Sequence, residues 1–181
     1  MKKVTILFSL IFIFNVSHSQ MEVGYNTTDV GGEVLINKNG SAAGLHFAAN
    51  AKLHNSFHAF LGYYIAKDNT PNYYYNKSKG GLAVGIGYRY YTDLRPHNFF
   101  IGVNANIFTN KVMLNTQTPE GPYTSKIFIP SLETGYMFLI NDMFFITPTI
   151  AAGYKTNLES KLSADEKKVV ALLGISLGAK F

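Results

Sequence analysis

The side chains that could catalyse a reaction are few, and the most suggestive group of them is one short segment. His54, Ser56 and His58 lie within five residues of one another. A serine beside an imidazole can act as a nucleophile when a carboxylate orients the imidazole. No carboxylate lies nearby in the sequence, and the segment has the composition of a turn. We therefore predict that this segment is a turn, that the chain has no catalytic residue, and that it is not an enzyme.

Other common kinds of site are not supported by the residue types present. The chain has no cysteine, and its five histidines are too dispersed for recognised metal-ligand spacings. Gly85 and Gly87 are not followed by the third glycine and helix of a phosphate-binding fingerprint. We expect no metal and no cofactor. The 16 basic residues are scattered rather than gathered in a stripe, which argues against a nucleic-acid partner.

The first nineteen positions have the pattern of a secretory signal peptide. Lys2 and Lys3 precede an apolar run over 4–14, and small residues follow at 17–19. We assign 1–19 to a signal peptide and 20–181 to one mature domain. Loss of the two lysines lowers the formal net charge from +5 to +3. No stretch of about 18 apolar residues is available for a membrane-spanning helix.

The rest of the chain alternates apolar with small or polar residues, which is the period of a β-strand. Leu82, Val84 and Ile86, for example, alternate with Gly81, Ala83 and other small residues. Strands are predicted at 41–53, 57–66, 80–92, 98–113, 127–140, 143–155 and 169–181. An eighth is placed at 33–37, with a possible start at Val23.

The connections between these strands differ in length at the two ends. The short ones are 54–56, 93–97 and 141–142, and the long polar ones are 67–79, 114–126 and 156–168. Transmembrane β-barrels have this asymmetry, with tight periplasmic turns and long extracellular loops. Aromatic residues near the short turns suggest an interfacial girdle: Phe57, Phe60, Tyr90, Tyr91, Phe99, Phe100, Phe138, Phe144, Phe145 and Phe181.

Strands can cross hydrocarbon only as a closed sheet, because an unpaired backbone amide there costs several kcal/mol. We therefore predict an all-β, eight-stranded, antiparallel up-and-down transmembrane barrel. Its bulky face would meet lipid, and its small and polar face would fill the lumen. The alternative is a soluble β-sandwich or lipocalin-like barrel, in which the bulky face is the core.

With these features the chain resembles the small eight-stranded outer-membrane β-barrel proteins of Gram-negative bacteria, of the OmpX-like and OmpW-like group in the broad sense. Leu173, Ile175, Leu177 and Phe181 resemble the C-terminal signal read by the barrel-assembly machinery. Ala179 departs from the aromatic residue usual two places before the terminal Phe. The resemblance implies an integral outer-membrane location, with lipids and lipopolysaccharide as neighbours. We expect a monomer.

Alternation places several polar residues inside the barrel. They are Glu133, Arg89, His46, Asn50, Lys52, Asn104 and Asn106, with Thr147 and Thr149. A buried carboxylate needs a cationic or hydrogen-bonding partner. For Glu133 we expect Arg89 first, and His46 or Lys52 second. The group is either a polar plug that fills the lumen or a gate on a narrow, porin-like path for small solutes.

The long connections contain the candidate recognition residues Tyr73, Tyr74, Tyr75 and Tyr123. Tyrosine is enriched in recognition surfaces because it offers a large area with few rotors. An upper aromatic belt is the competing interpretation. Lysines at the same end, Lys38, Lys67, Lys77, Lys79, Lys126 and Lys161, could neutralise lipid phosphates. Three functions follow as hypotheses: a structural or cell-surface interaction barrel, a conduit, or a lipid-modifying enzyme.

Overall fold

A computed structural model describes residues 27–51, 54–67, 75–93, 97–114, 123–159 and 168–181. These residues form eight antiparallel strands that close into one barrel, in which each strand pairs with its neighbours in sequence and β1 pairs with β8. The strands are β1 Thr27–Asn37, β2 Gly40–Asn50, β3 Asn55–Ala66, β4 Tyr75–Tyr91, β5 Asn98–Leu114, β6 Tyr123–Ile140, β7 Phe144–Glu159 and β8 Lys168–Lys180. The predicted fold class is confirmed. A search of the described residues for helices long and apolar enough to cross a membrane finds none.

Along most of each strand, side chains alternate between the outer wall and the lumen. On β4, Leu82, Val84 and Ile86 are exposed outside, whereas Ala83 and Arg89 are buried inside. The bulky alternate face is therefore the outer wall. This is the reverse of the soluble alternative, in which that face would form the core.

The lumen also holds large apolar side chains, in two clusters. The upper cluster lies towards the long connections and includes Phe60, Tyr64 and Phe108, and the lower cluster is Tyr91, Phe100, Met137 and Phe145. Four members of the proposed aromatic girdle are thus inside the barrel: Phe60, Tyr91, Phe100 and Phe145. Strand alternation explains the error for Tyr91, Phe100 and Phe145, because each follows another aromatic residue and only one of the two can face outward.

Small inward residues make room for these large ones. Gly31 on β1 lies opposite Gly178 on β8, at the pairing that closes the barrel. A Cβ atom added to Gly31 would lie 2.1 Å from the carbonyl oxygen of Leu177. The two strands approach too closely there for any side chain on Gly31.

The connections are short at one end of the barrel and longer at the other, as predicted, but several strands are longer than predicted. Residues 75–79, 123–126 and 156–159, placed in loops from the sequence, belong to β4, β6 and β7. The alternation of apolar and small residues does not extend into these segments, so the sequence does not indicate that they belong to strands. Conversely, β2 ends at Asn50 rather than at residue 53. Residue 114 belongs to β5 and residue 168 to β8. Positions 68–74, 115–122 and 160–167 lie outside the described residues.

The connections at the other end are short and tightly bent. His54, Asn98, Asn141 and Asp142 adopt φ values between 53° and 70°. Asn and Asp tolerate this left-handed conformation better than most residues. His54 is held there because its Nδ1 donates to the carbonyl oxygen of Tyr91 at 2.7 Å.

Candidate functional site

A layer of polar side chains occupies the lumen between the two apolar clusters. His46 of β2, His58 of β3, Arg89 of β4 and Glu133 of β6 all stand at inward positions of their strands and are buried. They converge because strand alternation directs every second residue into a narrow lumen. Glu33 of β1 joins them.

Arg89 is paired with Glu133. Its Nε donates to Oε1 of Glu133 at 2.7 Å, and the two side chains are 1 % and 4 % exposed. The guanidinium carbon also lies 4.7 Å from the centroid of the Phe100 ring, which adds a cation–π contact. Arg89 is the residue expected first, from the sequence, as the partner of Glu133.

From the sequence, His46 was considered as a partner of Glu133, but it pairs with a different carboxylate. Its Nδ1 lies 2.7 Å from Oε2 of Glu33, on the adjacent strand β1. His58 stacks against His46, with ring centroids 5.8 Å apart and planes 24° apart. Two buried carboxylates therefore each have a cationic or hydrogen-bonding partner in the layer.

The remaining predicted lumen residues are spread along the barrel. Asn106 is buried, Asn104 is half-buried, and Asn50 Nδ2 donates to Thr27 Oγ1 at 2.9 Å near the short-turn end. Thr147 is fully buried and Thr149 is half-buried. Lys52 lies outside the described residues.

Sequence reasoning missed one member of the interior and misjudged two others. Asp29 on β1 is fully buried and lies 3.6 Å from Nζ of Lys180. Ser56, assigned to the turn at 54–56, and His58, within the predicted strand at 57–66 but considered only with that turn, are inward residues of β3. The alternation of the sequence could have indicated these positions. Asp29, Glu33 and Leu35 fall on the same face of one strand because they are an even number of residues apart, and the same holds for Ser56, His58 and Phe60.

The interior has unused hydrogen-bonding capacity. Several buried atoms have no hydrogen-bond partner from the described protein atoms, among them Asn104 Oδ1, Ser131 Oγ, Thr147 Oγ1, Ser176 Oγ and Arg89 Nη2. Buried polar groups of this kind are usually satisfied by ordered water. The layer can therefore be hydrated, while apolar clusters lie above and below it.

The two residues singled out for chemistry, Ser56 and His58, lie inside the barrel. Both stand at inward positions of β3. Groups of three or more metal-ligating side chains are absent from the described residues. The polar layer can hold charge, hydrogen bonds and water.

The other residues singled out from the sequence lie at the ends of the barrel. Tyr73 and Tyr74 fall outside the described residues, and Tyr75 and Tyr123 are the first residues of β4 and β6. Leu173, Ile175 and Leu177 are exposed on the outer wall of β8. Phe181 exchanges backbone hydrogen bonds of 2.9 Å with Thr28, and its ring is exposed.

The fold is similar to that of a solved β-barrel domain. The N-terminal β-barrel domain of Pseudomonas aeruginosa OprF is similar, with a TM-score of 0.54 at 11 % identity, over 88 % of this chain and all of that one. Neisserial surface protein A matches with a TM-score of 0.43 at 14 % identity, over 86 % of this chain and 94 % of that one. No family model and no curated protein matches the sequence. The likeness to the OprF domain supports the small closed barrel, which is the fold expected from the resemblance.

Proposed function

We propose that the chain is an integral outer-membrane β-barrel with a side-chain-filled lumen, and that it has a structural or surface-interaction role through extracellular loops. One observation carries the membrane assignment: large apolar side chains cover the outside of a closed barrel. Ile86, Leu132 and Val169 are 64 %, 69 % and 80 % exposed, and outward positions on all eight strands are similar. Each such side chain gains roughly 1.5–3 kcal/mol when apolar surroundings replace water.

The length of the apolar stretch fits a bilayer. On β4 the outward apolar side chains run from residue 82 to residue 90, close to the about 9–11 residues that a tilted strand needs to cross. Exposed aromatic residues Phe57, Phe99 and Phe144 lie near the short turns, where an interfacial belt is expected.

The membrane assignment is tested with the purified full chain in detergent. A folded barrel should give a β-type circular dichroism spectrum and should migrate differently on a gel before and after boiling. Free solubility of the mature chain as a monomer without any amphiphile would contradict the proposal.

The loops would carry the surface role. Their ends are fixed by rigid strands, and the tyrosines at 73, 74, 75 and 123 would provide contact area. We expect Tyr73→Ala/Tyr74→Ala/Tyr75→Ala to fold like the parent chain but to reduce binding of protein-loaded vesicles to a glycan array. Equal binding by the parent chain and the variant would contradict a recognition role for these tyrosines.

A conduit is the second candidate, and the buried polar layer, with hydrogen-bonding groups that water could satisfy, favours it. The apolar clusters oppose it, because large buried rings such as Tyr64 and Phe108, with centroids 5.0 Å apart, occupy the upper lumen. We expect planar bilayers that contain the protein to show no discrete conductance. Discrete conductance that changes with Arg89→Ala would favour the conduit instead.

A lipid-modifying enzyme is the least supported candidate. Such an enzyme needs serine, histidine and carboxylate groups together at the membrane surface. Ser56 and His58 are instead buried in the lumen.

A further inference from the structure

The ladder between β6 and β7 is interrupted twice, each time at a proline. Its pairing skips residues 129–130 of β6 and, about 20 Å further along the strands, residues 147–148 of β7. Pro130 and Pro148 occupy these two gaps. We call the paired segment between them, 131–135 of β6 with 149–153 of β7, the seam. Among the described residues, six of the eight ladders run without interruption, and β4–β5 is interrupted only by shifts of register.

Both prolines direct their backbone nitrogen into the β6–β7 ladder. Pro130 keeps its place opposite Ala105 of β5, and Pro148 keeps its place opposite Ile175 of β8. Because a residue of an antiparallel strand directs its N and its C=O to one and the same neighbour, the missing pairs show which neighbour the prolines face. Proline has no N–H, so the carbonyl groups opposite the two prolines lose their ladder donors. Such groups are costly in an apolar wall, and the pairing of β6 with β7 is weakened at both ends of the seam.

The side chains of the seam add little to hold the two strands together. Most of those on its inner face are small: Ser131, Gly135, Thr149, Ala151 and Gly153. The outer wall has a depression at Pro130, whose lining includes consecutive residues of three strands, 103–104 of β5, 130–132 of β6 and 152–154 of β7. Consecutive residues of a strand face opposite sides, so the floor of this depression is the backbone itself. Large outer side chains therefore do not cover the wall at the first gap.

The strands on either side of the seam are held firmly to their other neighbours. The β5–β6 and β7–β8 ladders are uninterrupted. Glu133, in the middle of the seam, also ties β6 to β4, because its Oε1 accepts from Arg89 Nε at 2.7 Å across Gly102 of β5. The residues of β7 in the seam carry no charge. The wall is thus divided into two well-paired parts, β1–β6 and β7–β8, that meet at the seam.

The pairing of β1 with β8, which joins the two ends of the barrel sheet, is better secured than the seam. Its ladder has no gap. Asp29 and Lys180 form an ion pair across it at 3.6 Å, and Thr28 and Phe181 exchange two backbone hydrogen bonds of 2.9 Å. The weakest pairing therefore lies inside the sheet and not where its ends meet.

We propose that the seam is an opening segment built into the barrel, at which β7 parts from β6 between Pro130 and Pro148 while the other ladders stay paired. Glu133 and Ser131 lie on the inner face of the seam and belong to the polar interior. Opening therefore gives the polar layer contact with the surroundings of the barrel from the side, although apolar clusters close it above and below. The inference rests on the closed fold and is independent of the surface role proposed for the loops.

The test is residue-resolved amide hydrogen exchange, measured by NMR on the folded full chain in detergent micelles. Within each strand, residues two apart direct their amides to the same neighbour. The amides that share the direction of the prolines, and so face the seam, are those of Leu132, Thr134, Ile150 and Ala152. The alternate amides face β5 or β8 and serve as controls at the same depth in the same strands: Ser131, Glu133, Ala151 and Gly153. We expect the seam-facing amides to exchange at least about tenfold faster, because local opening breaks their hydrogen bonds alone.

A double variant supplies the two missing donors. Pro130 and Pro148 are exposed on the outer wall, where valine suits a strand. Pro130→Val/Pro148→Val should slow the seam-facing amides at least about fivefold, as expected for two added backbone hydrogen bonds. The amides that face β5 and β8 should keep their rates. The matched control is Ile101→Val/Ile175→Val, at exposed positions of the adjoining strands, which adds no donor and should exchange like the parent chain.

Three results would overturn the inference. The first is equal exchange of seam-facing and alternate amides in the parent chain, and the second is an unchanged pattern in the double proline variant. The third is faster exchange across the β1–β8 pairing than across the seam. A chain that folds only without detergent would contradict the proposed membrane function, and the same comparison of amides in buffer would still decide on the seam.

Discussion

At the scale of single residues, the buried pair of Arg89 and Glu133 gives the sharpest prediction. Removal of one partner leaves a charge in the lumen without its counter-ion, which typically costs about 3–5 kcal/mol. We expect Glu133→Leu to lower the free energy of unfolding by that amount. The double variant Arg89→Met/Glu133→Leu should lose less than either single variant, because it leaves no isolated charge. Urea titration in lipid vesicles, read by gel migration, measures these changes.

The matched control for this prediction is an ion pair in a short turn. His97 and Asp93 are 4.0 Å apart, and their side chains are 31 % and 46 % exposed. Exposed pairs contribute about 0–1 kcal/mol, so Asp93→Asn should have a small effect. A Glu133→Leu variant as stable as Asp93→Asn would show that the buried pair does not stabilise the barrel.

The sequence alone supported part of this interior. The Arg89–Glu133 pair could be considered in advance, because both residues lie in strongly alternating strands. The Glu33–His46 pair could not, because glycines and polar residues obscured β1. Neighbouring aromatic residues such as Tyr90 and Tyr91 were ambiguous, since two bulky residues in a row do not show which one faces lipid.

At the scale of strands, the closing pair β1–β8 depends on a glycine without a side chain. A Cβ atom on Gly31 would lie 2.1 Å from a backbone oxygen of β8, whereas on Gly32 the nearest atom would be 3.8 Å away. We expect Gly31→Ala to lower the free energy of unfolding by about 1–3 kcal/mol through overpacking. Gly32→Ala should be neutral or stabilising by up to about 1 kcal/mol.

Gel migration after refolding into detergent, followed by urea titration, compares the two glycine variants directly. The two variants carry the same substitution at adjacent positions, so they have the same amino-acid composition. Equal stability of Gly31→Ala and Gly32→Ala would show that close approach of β1 and β8 is not required for closure.

The strand order and most strand boundaries could also be predicted from the sequence. The apolar alternation marks each strand where one face is bulky and the other small. It gives no signal where both faces are polar, as at 75–79 and 123–126, which β4 and β6 include. In these segments β4 and β6 continue because their backbones pair with a neighbouring strand, and the residue types there do not indicate this pairing.

At the scale of the whole molecule, alternation and closure determine the fold more than particular residues do. The OprF domain shares the fold at 11 % identity. A period-two pattern with one bulky face and unequal connections is compatible with many sequences. The pattern does not report which lumen side chains meet, so the pair of Glu33 and His46 required the structure.

The central claim is that the bulky outer wall of the closed barrel is in contact with lipid chains. The chain has no tryptophan, so a single introduced tryptophan reports one position. In vesicles of acyl-brominated phospholipid, fluorescence of Ile86→Trp should be strongly quenched and largely protected from aqueous acrylamide. Asn39→Trp, in the β1–β2 hairpin, should show the reverse. An Ile86→Trp signal that acrylamide quenches and brominated lipid does not would contradict the account.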